Sequence, residues 1–313
     1  MDREIDRSQR PVPRIPADFD AFWQQALEEL AGVDPDVRPE AQAVQGPHGL
    51  VLQWSSFRSV GDVRIHFYSI TSQSKRVRPT LVHSHGYGSQ CEPRWDWAAA
   101  GADVFGVDIR GCGRSDGALP RASRWGYIMS GIESPETSVL RGAVCDYIRL
   151  AQIARQRAQS SDQRVVLHGV SFAGGLALMA EALLHIADAL VVGVPTFGWA
   201  EGRYFLSQAG SGGELQTYLS ARPESTEDVM VVLSYFDSVT FASRVRCPTL
   251  IGLGLRDEVV PPETVYAIAN HIPSTIEIME FPVSHSELPE EALWARFDDR
   301  CVEIALEEQN AEA

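Results

Sequence analysis

Residues 165–175 read VVLHGVSFAGG. Val165, Val166 and Leu167 form a short apolar run of the kind a buried strand needs. Gly169-Val170-Ser171-Phe172-Ala173-Gly174-Gly175 comes next, and the residues from Leu176 to Leu183 are good helix formers. A serine between a buried strand and a helix, flanked by small residues, has the pattern of a nucleophile elbow. The sharp turn lifts the hydroxyl clear of the sheet, and the helix start behind it offers unpaired N–H groups and a positive dipole end to a developing oxyanion. The usual form is G-x-S-x-G, and Ala173 stands at its last position. A plain Gly-rich strand-to-helix turn is the competing reading.

Around this stretch, strand-like and helix-like segments alternate. Short apolar strands are expected at 80–83, 103–107, 189–194, 248–253 and 276–281, with helices from Ser134-Pro135-Glu136 onward, at 261–271 and at 288–307. Strand, crossover helix, strand specifies a mainly parallel sheet with helices on both faces. Two runs at 50–57 and 63–70, joined by a Gly-Asp turn, predict an antiparallel hairpin at one edge. Before them, residues 16–49 read as a helical extension, with Asp18 as N-cap and Phe22, Trp23, Ala26, Leu27 and Leu30 at helical spacing. Residues 195–243 are long, aromatic and Gly-containing, as an insertion above the sheet would be. The expected whole is one α/β domain spanning 1–313.

Bulk properties narrow the function. A formal charge of -15 over 313 residues opposes binding to nucleic acid or an anionic membrane surface. No stretch has the length of a membrane span. Residues 1–14 are charged and Pro-rich, unlike a signal peptide. Five scattered cysteines lack C-x-x-C spacing, which points to reduced thiols and a cytoplasmic location.

A serine nucleophile needs a base, and the base needs an acid to orient it. In α/β-hydrolases the chain order is Ser, then Asp or Glu, then His. Ser171 is followed by Asp257 and His285, both just past expected strands, at the edge where sites in parallel sheets form. Glu258 competes with Asp257, and His271 with His285. The oxyanion hole then falls to the backbone N–H groups of Tyr87, after the strand at 80–83, and of Phe172. His83 and His85 form an H-x-H pair, but no further ligands lie near, so neither metal nor cofactor is expected. Asp108 and Arg110 are expected to tie loops beneath the site. Trp95, Trp97 and Trp199 are further candidates to line a pocket, beside Trp125, Tyr127, Tyr204 and Phe205, which are taken as the substrate-binding set.

With these residues assembled, the chain resembles the acetyl xylan esterase and cephalosporin C deacetylase group, carbohydrate esterase family 7. The resemblance runs from Phe19-Asp20-Ala21-Phe22-Trp23 to the C-terminal helix. It rests on His85-Gly86-Tyr87-Gly88, Arg110-Gly111-Cys112-Gly113-Arg114-Ser115, Ser234-Tyr235-Phe236-Asp237 and Gly254-Leu255-Arg256-Asp257. Gly131-Ile132, Pro135-Glu136-Thr137 and the run from Pro261 to Tyr266 add to it. It implies an α/β-hydrolase that removes acetyl groups from small acetylated sugars or cephalosporin-type esters through the triad Ser171, Asp257 and His285. It also implies a homo-hexamer. The family usually has Gln-Gly where this chain has Phe172-Ala173, a change expected to make the pocket floor more apolar. It usually has Glu-Gly where this chain has Ser286-Glu287, and a longer loop between Ser115 and Gly131. Two other functions compete: an acyl hydrolase or acyltransferase acting on a hydrophobic natural-product ester, and a non-catalytic binding protein that keeps the fold.

Overall fold

Residues 5–74, 76–119, 121–158, 163–207, 209–285 and 291–307 are described by the computed structural model. The chain runs α1 (Phe19–Gly32), β1 (Arg38–Pro39), β2 (Val44–Gln45), β3 (Leu50–Ser59), β4 (Val63–Ser72), β5 (Thr80–Ser84), α2 (Trp95–Ala100) and β6 (Asp103–Val107). Then come α3 (Val139–Arg157), β7 (Val165–Val170), α4 (Phe172–Leu184), β8 (Ala189–Gly193), α5 (Ala200–Leu206), α6 (Gly210–Ala221), α7 (Thr226–Ser234) and α8 (Ser238–Ala242). It ends with β9 (Thr249–Gly254), α9 (Pro262–Ala269), β10 (Ile276–Phe281) and α10 (Glu291–Leu306).

The strands form one sheet in the order β1-β3-β4-β6-β5-β7-β8-β9-β10, with β2 also paired to β3. From β6 to β10 every pairing is parallel, while β3–β4 and β4–β6 are antiparallel, as the alternation and the hairpin predict. Because side chains alternate along a strand, β7 feeds two cores. Val165 and Leu167 join the cluster under α1, α3, α4, α8 and α9, and Val166 joins the one under α2 and α10. This is an α/β-hydrolase fold.

Several local expectations need correction. The extension at 16–49 is α-helical only to Gly32, and its later residues supply the two-residue strands β1 and β2 and a 3₁₀ turn at Pro47–Gly49. Asp18 makes no side-chain cap on α1, and its carboxylate instead accepts the Tyr235 hydroxyl at 2.5 Å. The helix placed at Ser134 starts at Val139, where the Ser138 hydroxyl accepts the Leu140 N–H. The Ala-rich helix α2, closed by Gly101 at φ 129°, was not anticipated. The first residues of the closing helix at 288–307, and Ser286-Glu287, lie outside the described residues.

Among the described residues the excursion at 195–243 holds four α-helices, and its end is core rather than cap. Phe236 and Phe241 are buried against Trp23 at ring distances of 5.8 and 5.5 Å, and Trp23 Nε1 donates to the Tyr235 carbonyl at 3.0 Å. The two aromatic motifs of the sequence, at 19–23 and 234–237, therefore meet in one packed cluster that clamps α1 to the body.

Candidate active site

Strand β7 ends at Val170 and α4 begins at Phe172, so one residue makes the turn. That residue, Ser171, has φ 59° and ψ −116°, a strained conformation for a side chain with a Cβ. Its neighbours hold it: the Ser171 N–H donates to the Gly193 carbonyl at 2.8 Å, and its carbonyl accepts from Gly175 N at 3.1 Å. A Cβ on Gly169 would lie 2.3 Å from the backbone of Ala173, so the helix can start this close only over a glycine. Ala173 itself is fully buried.

Asp257 and His285 arrive from neighbouring strand ends. Gly254, closing β9, lets the loop after β10 approach, since a Cβ there would meet the Val283 carbonyl at 2.4 Å. The buried Asp257 carboxylate accepts Val259 N at 3.0 Å and Val260 N at 2.8 Å on Oδ1, and His285 N at 3.1 Å on Oδ2. Oδ2 also accepts a short hydrogen bond from His285 Nδ1. Burial alone would raise this carboxyl, but the imidazole and the backbone donors outweigh it, and its pKa lies below 3.8. An ionised carboxylate only accepts, so Nδ1 carries a ring proton, and in the neutral imidazole Nε2 is then the acceptor. The competitors sit elsewhere: Glu258 is exposed, and His271 Nδ1 faces the Ala267 carbonyl.

Ser171 and His285 line the same cavity of about 740 Å³. His85, Gly86 and Tyr87 line it too. Among the described residues, neither the Tyr87 N–H nor the Phe172 N–H donates a backbone hydrogen bond. Farther from Ser171 in sequence, Ser89, Gln90, Glu92, Arg94 and Asp298 complete a polar wall. Arg94 pairs with Asp298 at 3.0 Å.

The four aromatics expected to bind substrate do not line this cavity. Trp125 packs on Tyr218 of α6, the Tyr127 hydroxyl donates to the Arg110 carbonyl, Tyr204 packs edge-on against Phe205, and Phe205 is 73% exposed. Trp97 is buried in the core on the far face of the sheet. Phe172 is also turned away from the cavity. Its ring is 1% exposed and packs edge-on against Tyr87, Tyr127 and Phe197 at 5.7–5.9 Å. The expectation that it makes the pocket floor more apolar is therefore corrected: its ring packs against Tyr87 instead.

The histidine pair is occupied by protein partners. His85 Nε2 accepts the Ile109 N–H at 3.1 Å, and Nδ1 faces the Gly86 carbonyl. His83 bonds the Tyr68 hydroxyl, and burial pushes its pKa down to about 3. Among the described residues, no three His, Cys, Asp or Glu side chains group as a metal site, and no helix is long and apolar enough to cross a membrane. Asp108 does bind loops together, accepting Cys91 N at 2.7 Å and Arg114 N at 2.9 Å. Arg110 does so through Asp146, a fully buried partner on α3 that sequence reading missed.

The acetyl xylan esterase family model matches residues 4–293. The chain belongs to the acetyl xylan esterase family. It is 27% identical to acetyl xylan esterase 1 of a Thermoanaerobacterium species, with a TM-score of 0.84 over 95% of this chain and 97% of that one. An acetyl xylan esterase from a Paenibacillus species is 25% identical, with a TM-score of 0.82 over 94% and 98% of the two chains. Acetyl esterase Axe7A of Xylanibacter ruminicola is 24% identical over 288 residues, 88% of this chain. The match covers 64% of that longer relative. Membership of this family places the chain among carboxylic ester hydrolases.

Proposed function

We propose that the protein is a serine deacetylase that removes acetyl groups from small, hydroxyl-bearing acetylated molecules through an acyl-enzyme. The observation that carries this reading is Ser171, strained at an elbow, facing one cavity with an imidazole whose Nδ1–H is fixed by Asp257. In the proposed reaction Ser171 Oγ attacks the acetyl carbonyl carbon while His285 Nε2 takes its proton. The N–H groups of Tyr87 and Phe172 stabilise the oxygen as it becomes negative. The imidazolium then returns the proton to the leaving alcohol, and acetyl-Ser171 remains. Water, deprotonated by the same nitrogen, attacks the acetyl carbon, the bond from that carbon to Ser171 Oγ breaks as Oγ takes the proton back from the imidazolium, and acetate departs. Asp257 keeps the ring in the productive tautomer and supports its positive charge.

The polar side chains of Ser89, Gln90, Glu92, Arg94 and Asp298 on the cavity wall offer hydrogen-bond partners to a hydroxylated leaving group. Acetylated sugars fit this description.

Ser171→Ala tests the reading. It is expected to lower kcat on p-nitrophenyl acetate by a factor on the order of 10^6 while leaving the melting temperature within a few degrees. Retention of a tenth of the wild-type rate, or no labelling of the wild-type protein by a fluorophosphonate, would overturn the assignment. A panel from acetate to octanoate tests the acyl group. The expected maximum in kcat/KM is at acetate, with activity falling from butyrate onward.

A further inference from the structure

Tyr87 enters the proposed mechanism only through its backbone N–H, but its side chain is tethered at both hydroxyl and ring. The hydroxyl donates to Glu214 Oε2 at 2.6 Å and accepts the Ile128 N–H at 3.0 Å. The ring is held edge-on by Phe172 at 5.7 Å and by Tyr127 at 5.8 Å. Glu214 lies on α6, in the excursion between β8 and β9, 127 residues away in sequence. Three segments therefore converge on one hydroxyl: the loop after β5, the 3₁₀ turn Tyr127–Met129, and helix α6.

Glu214 is itself anchored. It is half-buried, and burial raises its carboxyl above the ordinary glutamate value against the pull of the Tyr87 hydroxyl, the Ile128 and Tyr127 N–H groups and the charge of Arg203. Arg203 is buried, lies over the Phe197 ring at 5.1 Å and hydrogen-bonds Ser211 on the same helix as Glu214. Next to Glu214, Leu215 is fully buried in the core. The carboxylate is thus a fixed point, and the tyrosine ring is a rigid lever from that point to the backbone at residue 87.

We propose that Glu214 is a positioning residue for ester hydrolysis, aiming the Tyr87 N–H at the oxyanion through the Tyr87 hydroxyl. This rests on the reading of Tyr87 as an oxyanion donor. A donor 2.7–3.1 Å from the developing charge loses much of its effect when it is turned or displaced by a fraction of an ångström. Gly86, just before it, brings no side chain to hold the peptide plane. The excursion would then set the quality of the oxyanion hole without touching the substrate.

The test is a kinetic split in Glu214→Ala, Glu214→Gln and Tyr87→Phe, with melting temperatures measured alongside. Glu214→Ala and Tyr87→Phe should each lower kcat by roughly tenfold and move KM by less than twofold, short of the 10²–10³ for outright loss of a donor. The double variant should be no slower than the slower single one, because both cut the same link. Glu214→Gln keeps an acceptor oxygen and should restore most of kcat. Affinity for a trifluoromethyl ketone, whose adduct with Ser171 carries the oxyanion, should fall in parallel with kcat. Unchanged kcat in Glu214→Ala, a rise in KM alone, or losses that only track the unfolded fraction would overturn the proposal. If Ser171→Ala stays active, the triad reading itself fails. If Ser171→Ala is dead while Glu214→Ala matches wild type, only the positioning role falls.

Discussion

Two buried aspartates of this chain sit in nearly the same backbone cradle. Asp257, after β9, accepts three backbone N–H groups, from Val259, Val260 and His285. Asp237, at the foot of the excursion, also accepts three, from Trp199 at 2.9 Å, Ala200 at 3.1 Å and Val239 at 2.9 Å. Their pKa values move in opposite directions. Burial raises Asp237 to about 6 in spite of its donors, while Asp257 lies below 3.8. Two things differ: Asp257 has His285 Nδ1 as a fourth partner, whereas Asp237 has no ring and feels the negative charge of Glu201, which adds to the upward push of burial. Three amide dipoles do not offset the desolvation of a buried carboxylate here, and a side chain able to carry positive charge does.

The two carboxylates consequently hold different things. Asp237 closes the segment after β8, where Val194, Phe197 and Trp199 all take positive φ (37°, 72° and 53°). Bulky and β-branched residues rarely adopt that region, so the segment persists only because distant groups hold it. Asp237 supplies two of those bonds, and Ser238 N donates to the Phe197 carbonyl at 3.0 Å. Asp257 holds a side chain instead of a strained backbone, and in the proposed mechanism that side chain moves protons.

The comparison breaks most visibly in turnover. Asp257→Asn should lower kcat by a factor on the order of 10^4, because an amide facing Nδ1 favours the wrong tautomer. The exposed neighbour gives the control: Glu258→Gln should leave steady-state kinetics on p-nitrophenyl acetate within twofold. Equal losses in both variants would mean that the cradle at Asp257 is structural, as at Asp237.

In stability the ranking should reverse. Asp237→Ala strands three N–H groups in the interior and releases a strained segment. Each unsatisfied buried group costs about 1–3 kcal/mol, so the loss should be on the order of 3 kcal/mol or more by urea denaturation. Activity per folded molecule should change little by comparison. A variant with unaltered stability would show that the positive-φ segment holds itself.

These two aspartates also mark what could be read in the sequence. Asp257 was legible because strand-end position and the order Ser, Asp, His are local facts along the chain. The parallel sheet was legible from alternation, and the elbow from small residues around Ser171. Asp237 was visible only as part of a motif, since two of its three partners lie 37 and 38 residues away and one of them is the bulky Trp199. Glu214 gave no signal, because nothing at its own position says that it reaches Tyr87. Asp146 did give one, as a lone carboxylate among Val144, Cys145, Tyr147 and Ile148, but its arginine could not be named. The aromatics misled for a related reason: hydrophobic character predicts contact, not which surface is contacted. Phe172 went into the core and Phe205 into solvent.

The smallest expected effect is the sharpest test of the comparison, because it depends on sign. A carboxyl whose pKa is raised on folding contributes stability that is fully present below its unfolded value and is lost as pH rises through the folded value. For Asp237 that window runs from 3.8 to about 6. A carboxyl whose pKa is lowered does the opposite, so Asp257 contributes above 3.8 and its contribution disappears as pH falls below that. Asparagine titrates at neither position and supplies the reference. Unfolding free energy should therefore be measured for the wild type, Asp237→Asn and Asp257→Asn at intervals between pH 4 and 7. The wild-type advantage over Asp237→Asn should shrink by about 1–3 kcal/mol between pH 4 and 6 and then level off. The advantage over Asp257→Asn should be nearly flat from pH 5 upward and fall only toward pH 4. A flat difference for Asp237, or a decline of the same sign and size for both, would show that the imidazole is not what separates the two carboxylates.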